Sequence, residues 1–228
     1  MTSTSPSGTL YLIDLYAQVF RSFYAVRTPM TSPVTGEGTQ VIYGVLSSLF
    51  KLIQQAKPKY LAFCIDLPGD TFRDVVYDDY KATRPPAPDD IKKQAPRLMD
   101  ALRALGIPVI GASGLEADDV IGTLATQAHA QGFEVALVTG DKDFFQLVTD
   151  GIRVFNPRDE GTWYDADGVV QKFGVKPEQV VDVLALMGDS VDNIKGVPGI
   201  GEKGAKELIA THGTLEKLIA AAPTITQK

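Results

Sequence analysis

Cysteine and histidine are almost missing from this chain of 228 residues, which has one of the first and two of the second. Cys64 alone closes no internal disulfide and builds no sulfur-rich zinc site. His129 and His212 stand far apart without companions, which argues against an imidazole metal site or a histidine triad. No apolar run approaches the roughly 18 residues of a membrane span. The polar opening, MTSTSPSG, lacks the basic-then-apolar layout of a signal peptide and reads as a short disordered lead-in, so a cytoplasmic protein is expected. Internal repeats, low-complexity tracts and long linkers are absent too. Positive charge is in deficit: 22 Lys and Arg against 28 Asp and Glu leave a net charge of −6. That balance disfavours a nucleic-acid partner if the carboxylates are spread evenly.

They are not spread evenly. Five apolar runs read as buried strands, and several end on acids. LYLID closes on Asp14 and KYLAFCID on Asp66; GIPVIGASG leads into Glu116; FEVALVTGDKD closes on Asp141 and Asp143; GIRVFN ends without an acid. Amphipathic segments of helical length lie between them, at 40–56, 89–105 and 117–131. Strand alternating with helix predicts an α/β fold, a mostly parallel central sheet flanked by helices. In such sheets ligands collect at the carboxyl ends of the strands. After about residue 160 the pattern turns to short helices at 165–173, 177–187, 201–211 and 214–221, joined by glycine-rich turns. The division expected is a core over 1–160 and a helical module over 161–228.

The segment GLEADD, residues 114–119, crowds Glu116, Asp118 and Asp119 together. Like charges at about 4 Å repel by roughly 4 kcal/mol at an effective dielectric near 20, so water, a helix N-terminus or a cation must compensate. Any one acid reads equally well as a cap, since acids in the first turn of a helix are favoured by about 0.3–1 kcal/mol. The set reads differently. Asp14, Asp66, Glu116, Asp118, Asp119, Asp141 and Asp143, with Asp189 and Asp192 from MGDSVDN, make nine carboxylates expected at one end of one sheet. Capping explains each alone but not their shared place. Hard divalent ions, Mg²⁺ or Mn²⁺, take carboxylate and water oxygen without sulfur or imidazole. So many acids suit two ions, an arrangement that recurs in phosphodiester cleavage.

The stretch IKGVPGIGEKGAKELI, 194–209, sets Gly196, Gly199 and Gly201 around Pro198 ahead of a helix starting near Glu202, with Lys195, Lys203 and Lys206 beside them. Glycines let a backbone approach a ligand closely, and free N–H groups at a helix start suit a phosphate. This predicts sequence-independent grip on duplex DNA, against the plainer reading of a turn between helices. The most irregular stretch, 67–90, is rich in proline and in charges of both signs, and a polar segment that long inside a compact domain is usually functional or disordered.

LIDLYAQVFRSFYA, FRDVVYDDYKATRPPAPDDI, GLEADDVIGTLA, VTGDKDFFQLV and MGDSVDNIKGVPGIGEKGAKELI together carry a resemblance that runs from about Leu10 to the end of the chain. The sequence resembles the 5′-nuclease family, flap endonucleases and 5′→3′ exonucleases, and within it the N-terminal nuclease domain of bacterial DNA polymerase I. The resemblance implies a PIN-like, resolvase-like core, a helical-arch segment over about 67–98 and a C-terminal helix–hairpin–helix module. It implies two Mg²⁺ or Mn²⁺ ions, the first among Asp14, Asp66, Glu116 and Asp118, the second towards Asp119, Asp141, Asp143, Asp189 and Asp192. Lys81 and Arg84 match the basic pair that reaches the scissile phosphate, and with Asp118 and Asp141 they are the residues it makes catalytic. Arg73, Tyr77 and Tyr80 share that arch, through or beneath which a 5′ single strand passes. Residues 177–211 match the duplex-gripping element, with K⁺ among its implied cofactors. Arg21 is carried over as a substrate contact, with a plain surface arginine left open.

The implied partner is nicked or branched duplex DNA with a 5′ single strand, met by a monomer away from any membrane. The implied reaction is hydrolysis by a metal-activated water, serving primer removal and repair. Two features depart from the pattern. Leu15 and Tyr16 follow Asp14 where a small residue is usual, with Gln18 in an apolar place, and the chain stops at TITQK, which points to a piece of a longer protein. Three other readings remain at this point: a stand-alone 5′-nuclease paralogue, a single-strand RNA nuclease of related fold, disfavoured by the lysine-bearing hairpin, and a non-catalytic DNA-structure binder.

Overall fold

A computed structural model of the chain describes residues 8–26, 30–157, 159 and 161–225; residues 1–7 of the polar lead-in and the last three of TITQK lie outside them. Six strands form the main sheet: β1 (Thr9–Asp14), β2 (Tyr60–Cys64), β3 (Val109–Ile110), β4 (Glu134–Val138), β5 (Ile152–Asn156) and β6 (Thr162–Tyr164). Their order is β3-β2-β1-β4-β5-β6, with β1 to β5 parallel and β6 antiparallel to β5. The chain steps outward from β1 to β3, then returns to the other side of β1. The switch point of the sheet therefore lies between β1 and β4, where ligands of open parallel sheets bind.

Central strands are covered on both faces, so they alternate between two cores. Leu12, Leu137 and Cys64 join one buried cluster; Ile13, Val138 and Phe63 join the other. The second is covered by α1 (Leu15–Ala25), α2 (Gln40–Ala56) and α4 (Asp89–Ala104), whose Val19, Val45 and Leu98 are buried in it. Gln94 of α4 ties two of these helices together: its Oε1 accepts from the N–H of Val41 in the first turn of α2 at 2.9 Å. The first cluster continues from α5 (Ala117–Ala130) into α6 (Ala166–Phe173), α7 (Val180–Met187), α8 (Glu202–His212) and α9 (Leu215–Ala221) through Val169, Val183, Ile209 and Leu218. The helical part thus shares one apolar core with the sheet.

Three elements depart from expectation. α1 follows β1 without a break, because Asp14 ends the strand and caps the helix through the N–H of Ala17 at 2.9 Å. β6 extends the sheet past residue 160, where only helices were expected. Segment 67–90 carries a short helix, α3 (Phe72–Val76), started by a capping box of Thr71 and Asp74, then turns at 78–83 and an irregular run into α4. Between α7 and α8 a small ribbon, β7 (Gly188–Asp189) with β8 (Ile194–Lys195), leads into the glycine turn.

Candidate metal and nucleic-acid site

Strand ends and helix starts aim the acids at the switch point. Asp14 ends β1, Asp66 follows β2, and Asp141 follows β4. An Asp66 oxygen accepts from the N–H of Ala117 at the start of α5 (2.7 Å). Asp141 accepts from Asp143 N–H (2.9 Å), and Asp189 from Val191 N–H (2.8 Å). Thr139, which the sequence reading passed over, accepts from Asp141 N–H (3.1 Å); a threonine two residues before an aspartate is the signal for such a turn. Capping and gathering are therefore not alternatives. A carboxylate has two oxygens, and each of these caps uses one.

Glu116, Asp118, Asp119, Asp143, Asp189 and Asp192 line one cleft of about 850 Å³ together with Arg73 and Tyr80. Burial, then the charges of Asp14, Asp141, Asp66 and Glu116, push Asp118 up to about 8. Burial, together with Asp66 and Asp141, pushes Asp14 up to about 6 against the pull of Ala17 N–H; burial with Asp141 and Asp189 does the same for Asp143. Asp14, Asp66, Glu116 and Asp141 act on Asp118, and Asp141, Asp189 and Asp192 act on Asp143, a crowding that favours uptake of positive charge.

In this structure the arch supplies that charge. Lys81 Nζ is 2.5 Å from Glu116 Oε1, and Arg84 pairs with Asp192. Tyr80 is buried, with its hydroxyl within hydrogen-bond distance of Glu116 Oε2 (3.0 Å) and Asp192 Oδ2 (3.2 Å), and its single proton goes to one of these carboxylates, so it faces the acids. Arg73 forks onto Asp119, at 2.7 and 2.8 Å, and Asp119 also accepts from Glu116 N–H at 3.0 Å. Both oxygens of Asp119 are engaged, and the arginine holds its carboxyl below the usual range. Asp119 thus acts as cap and arch anchor here, and Glu116 and Asp192 are likewise engaged through both oxygens, by Lys81, Arg84 and Tyr80.

Not every basic or glycine residue serves as the sequence suggests. Lys206 is held by Glu202 (2.6 Å) and lies over the Phe173 ring (4.1 Å), a packing role in place of an outward one. Lys195 is exposed, and Lys203 is 91% exposed with Glu207 at 3.9 Å. A side chain at Gly196 would meet the backbone of Met187 at 2.3 Å, so its absence serves the chain's own crossing there rather than a ligand. Gly199 (φ 84) and Gly201 have open space around them. Arg21 donates to Gln18 Oε1 (3.2 Å), which orients it along α1. Tyr77 donates its hydroxyl to the carbonyl of Asn193 at 3.1 Å.

Among the described residues no three His, Cys, Asp or Glu side chains stand as a ready-made ligand set. The donor chemistry nevertheless fits Mg²⁺ or Mn²⁺: it is all oxygen, gathered around the start of α5, and its repulsion is relieved in part by Lys81 and Arg84. Magnesium also keeps several waters, so it needs few direct carboxylates.

Residues 9–174 match the family described as 5′-3′ exonuclease, N-terminal resolvase-like domain, and 175–228 match 5′-3′ exonuclease, C-terminal SAM fold. A 5′-3′ exonuclease of Aquifex aeolicus is 41% identical over 211 residues, which is 92% of this chain and 72% of that protein. DNA polymerase I of Pseudomonas aeruginosa is 45% identical over 96% of this chain, which spans 24% of the polymerase. Among solved structures, zinc-bound T5 5′-exonuclease shares the fold, with a TM-score of 0.78 at 23% identity over 96% of this chain and 81% of that one. A resolvase-like sheet with an acid-lined switch point, joined to a SAM-type helical module, defines the class. The chain belongs to the 5′-3′ exonuclease family.

Proposed function

We propose that the chain hydrolyses DNA phosphodiesters as a metal-dependent 5′→3′ exonuclease and 5′-flap endonuclease, working as a monomer on nicked or branched duplexes during primer removal and repair. The observation that carries this is the overlap of the charges of Asp14, Asp66, Glu116, Asp118 and Asp141 beside Lys81 and Arg84, which pair with Glu116 and Asp192. Residues to about 174, which include β6, would form the cutting core and 175–228 the duplex grip. The polymerase relatives make it a candidate for the nuclease part of a DNA polymerase I.

Asp14, Asp66, Glu116 and Asp118 are assigned to one divalent ion, and Asp119, Asp141, Asp143, Asp189 and Asp192 lie towards a second. When bound, such ions activate a water and steady the leaving 3′-oxygen. Lys81 and Arg84 would leave their carboxylates for the scissile phosphate and offset charge developing on it. Gly199, Gly201, Lys195 and Lys203 would grip the duplex backbone, and K⁺ at that turn belongs to the same proposal. Cys64 is buried and pushed up to about 12, which removes it as a nucleophile. Magnesium is the cation proposed for the cell.

One observation favours a second reading, a DNA-structure binder without catalysis: the arch cations already occupy Glu116 and Asp192. A 5′-labelled flap duplex separates the two. The nuclease reading expects incision near the junction in Mg²⁺ or Mn²⁺, none in EDTA, and a loss of about 10² or more in Asp141→Ala. Binding with no incision in either metal would establish the binder.

A further inference from the structure

The arch touches the loop before the glycine turn through bonds that use no carboxylate. Lys81 N–H donates to the carbonyl of Asp192 at 2.9 Å. Asn193 Nδ2 donates to the carbonyl of Asp79 at 2.8 Å, 114 residues away in sequence. Tyr77 hydroxyl donates to the carbonyl of Asn193 at 3.1 Å, and Arg84 Nε to that of Val191 at 3.3 Å. The backbone reverses sharply on both sides of this joint: Lys81 (φ 55) and Asn193 (φ 59) are two of three non-glycine residues with left-handed backbone among the described residues. Lysine is disfavoured there, whereas asparagine tolerates it. Local preference alone does not put Lys81 in that conformation; the joint holds it.

We infer that Asn193 is a positioning residue, which docks the arch on the segment leading into the duplex-gripping turn and so sets Lys81 and Arg84 over the reacting phosphate. The inference rests on the nuclease reading above. Two kinds of contact hold the arch down. The ion pairs of Lys81 with Glu116 and of Arg84 with Asp192 use acids that divalent ions would claim. The neutral bonds of Asn193 compete with nothing, so they remain when those pairs part. Asn193 is followed directly by Ile194–Lys195 of β8 and then by the glycine turn. Its amide therefore links duplex engagement at one end to lysine placement at the other.

Asn193→Gly keeps the left-handed backbone and removes the amide; Asn193→Asp keeps the shape but replaces the N–H donor by a charged oxygen facing the Asp79 carbonyl. Trypsin reads the joint without catalysis, because Lys81–Ala82 is a cleavable bond while Arg84 precedes proline. In Mg²⁺ without DNA, both variants should be cut at Lys81 about fivefold faster than wild type, the worth of one ordinary hydrogen bond, with melting unchanged. On flap DNA, kcat should fall by about fivefold with KM held. Unchanged digestion at Lys81 in both variants would overturn the inference. So would a rise in KM at constant kcat, which would make the amide part of the DNA-gripping turn alone. If wild-type protein cut no substrate, the nuclease reading would fail by itself, and the digestion rates would still decide the joint.

Discussion

Asp118 stands where the fields of Asp14, Asp66, Glu116 and Asp141 overlap, and its behaviour follows from that company. Its carboxyl is raised from 3.8 to about 8, and those of Asp14 and Asp143 from 3.8 to about 6. Between these limits the folded chain keeps protons that the unfolded chain releases, so stability falls as pH rises. In EDTA the melting temperature should therefore decline from pH 5 to pH 8, and saturating Mg²⁺ should flatten that slope by replacing the protons. Asp118→Asn should remove much of the slope as well. A melting temperature that climbed over this range in EDTA would mean that the acids are not buried together. Asp119 should behave otherwise. Asp119→Asn breaks the charged Arg73 fork while leaving an oxygen for Glu116 N–H, and urea denaturation should register a loss of about 1–3 kcal/mol.

At the scale of elements, the glycine turn gives the sharpest contrast. Gly196→Ala would press a methyl group against Met187 backbone at 2.3 Å and should cost about 3 kcal/mol or more. Gly201→Ala meets nothing within 4 Å at φ −91 and should leave stability within about 0.5 kcal/mol, while weakening duplex affinity measured by fluorescence anisotropy. Spacing alone gave these glycines one shared role; only the crossing of Gly196 over Met187 separates them. Other elements were legible for plain reasons. α2, α4 and α5 repeat apolar residues at helical spacing, and the acids close apolar strands. α1 was passed over because its inner face is partly polar: Gln18 and Ser22 are buried beside Leu15 and Val19. β6 is three residues long at the sheet edge, too short to show alternation. The acid cleft could be read from strand ends, whereas the arch cations lying on it could not. Those pairs join residues 35 and 108 apart, and nothing local records such contacts.

For the whole molecule, the shared core makes the helical module and the sheet mutually dependent. Ile209 of α8 is fully buried in the cluster that holds Leu12 and Leu137, so Ile209→Ala should cost about 2–5 kcal/mol and lower the single melting transition rather than split it. The net charge of −6 gains meaning from its placement, since unneutralised acids at the cleft would repel the phosphates that the glycine turn is proposed to grip. Duplex affinity should therefore rise when divalent ions are added, against the usual weakening by salt. The account rests on one exchange, in which the arch cations on Glu116 and Asp192 give way to metal. Counting bound Mn²⁺ by electron paramagnetic resonance tests that exchange most directly. The account predicts two ions per chain in wild type and at least one fewer in Asp118→Asn. A wild-type protein that bound no Mn²⁺ while still folded would contradict it.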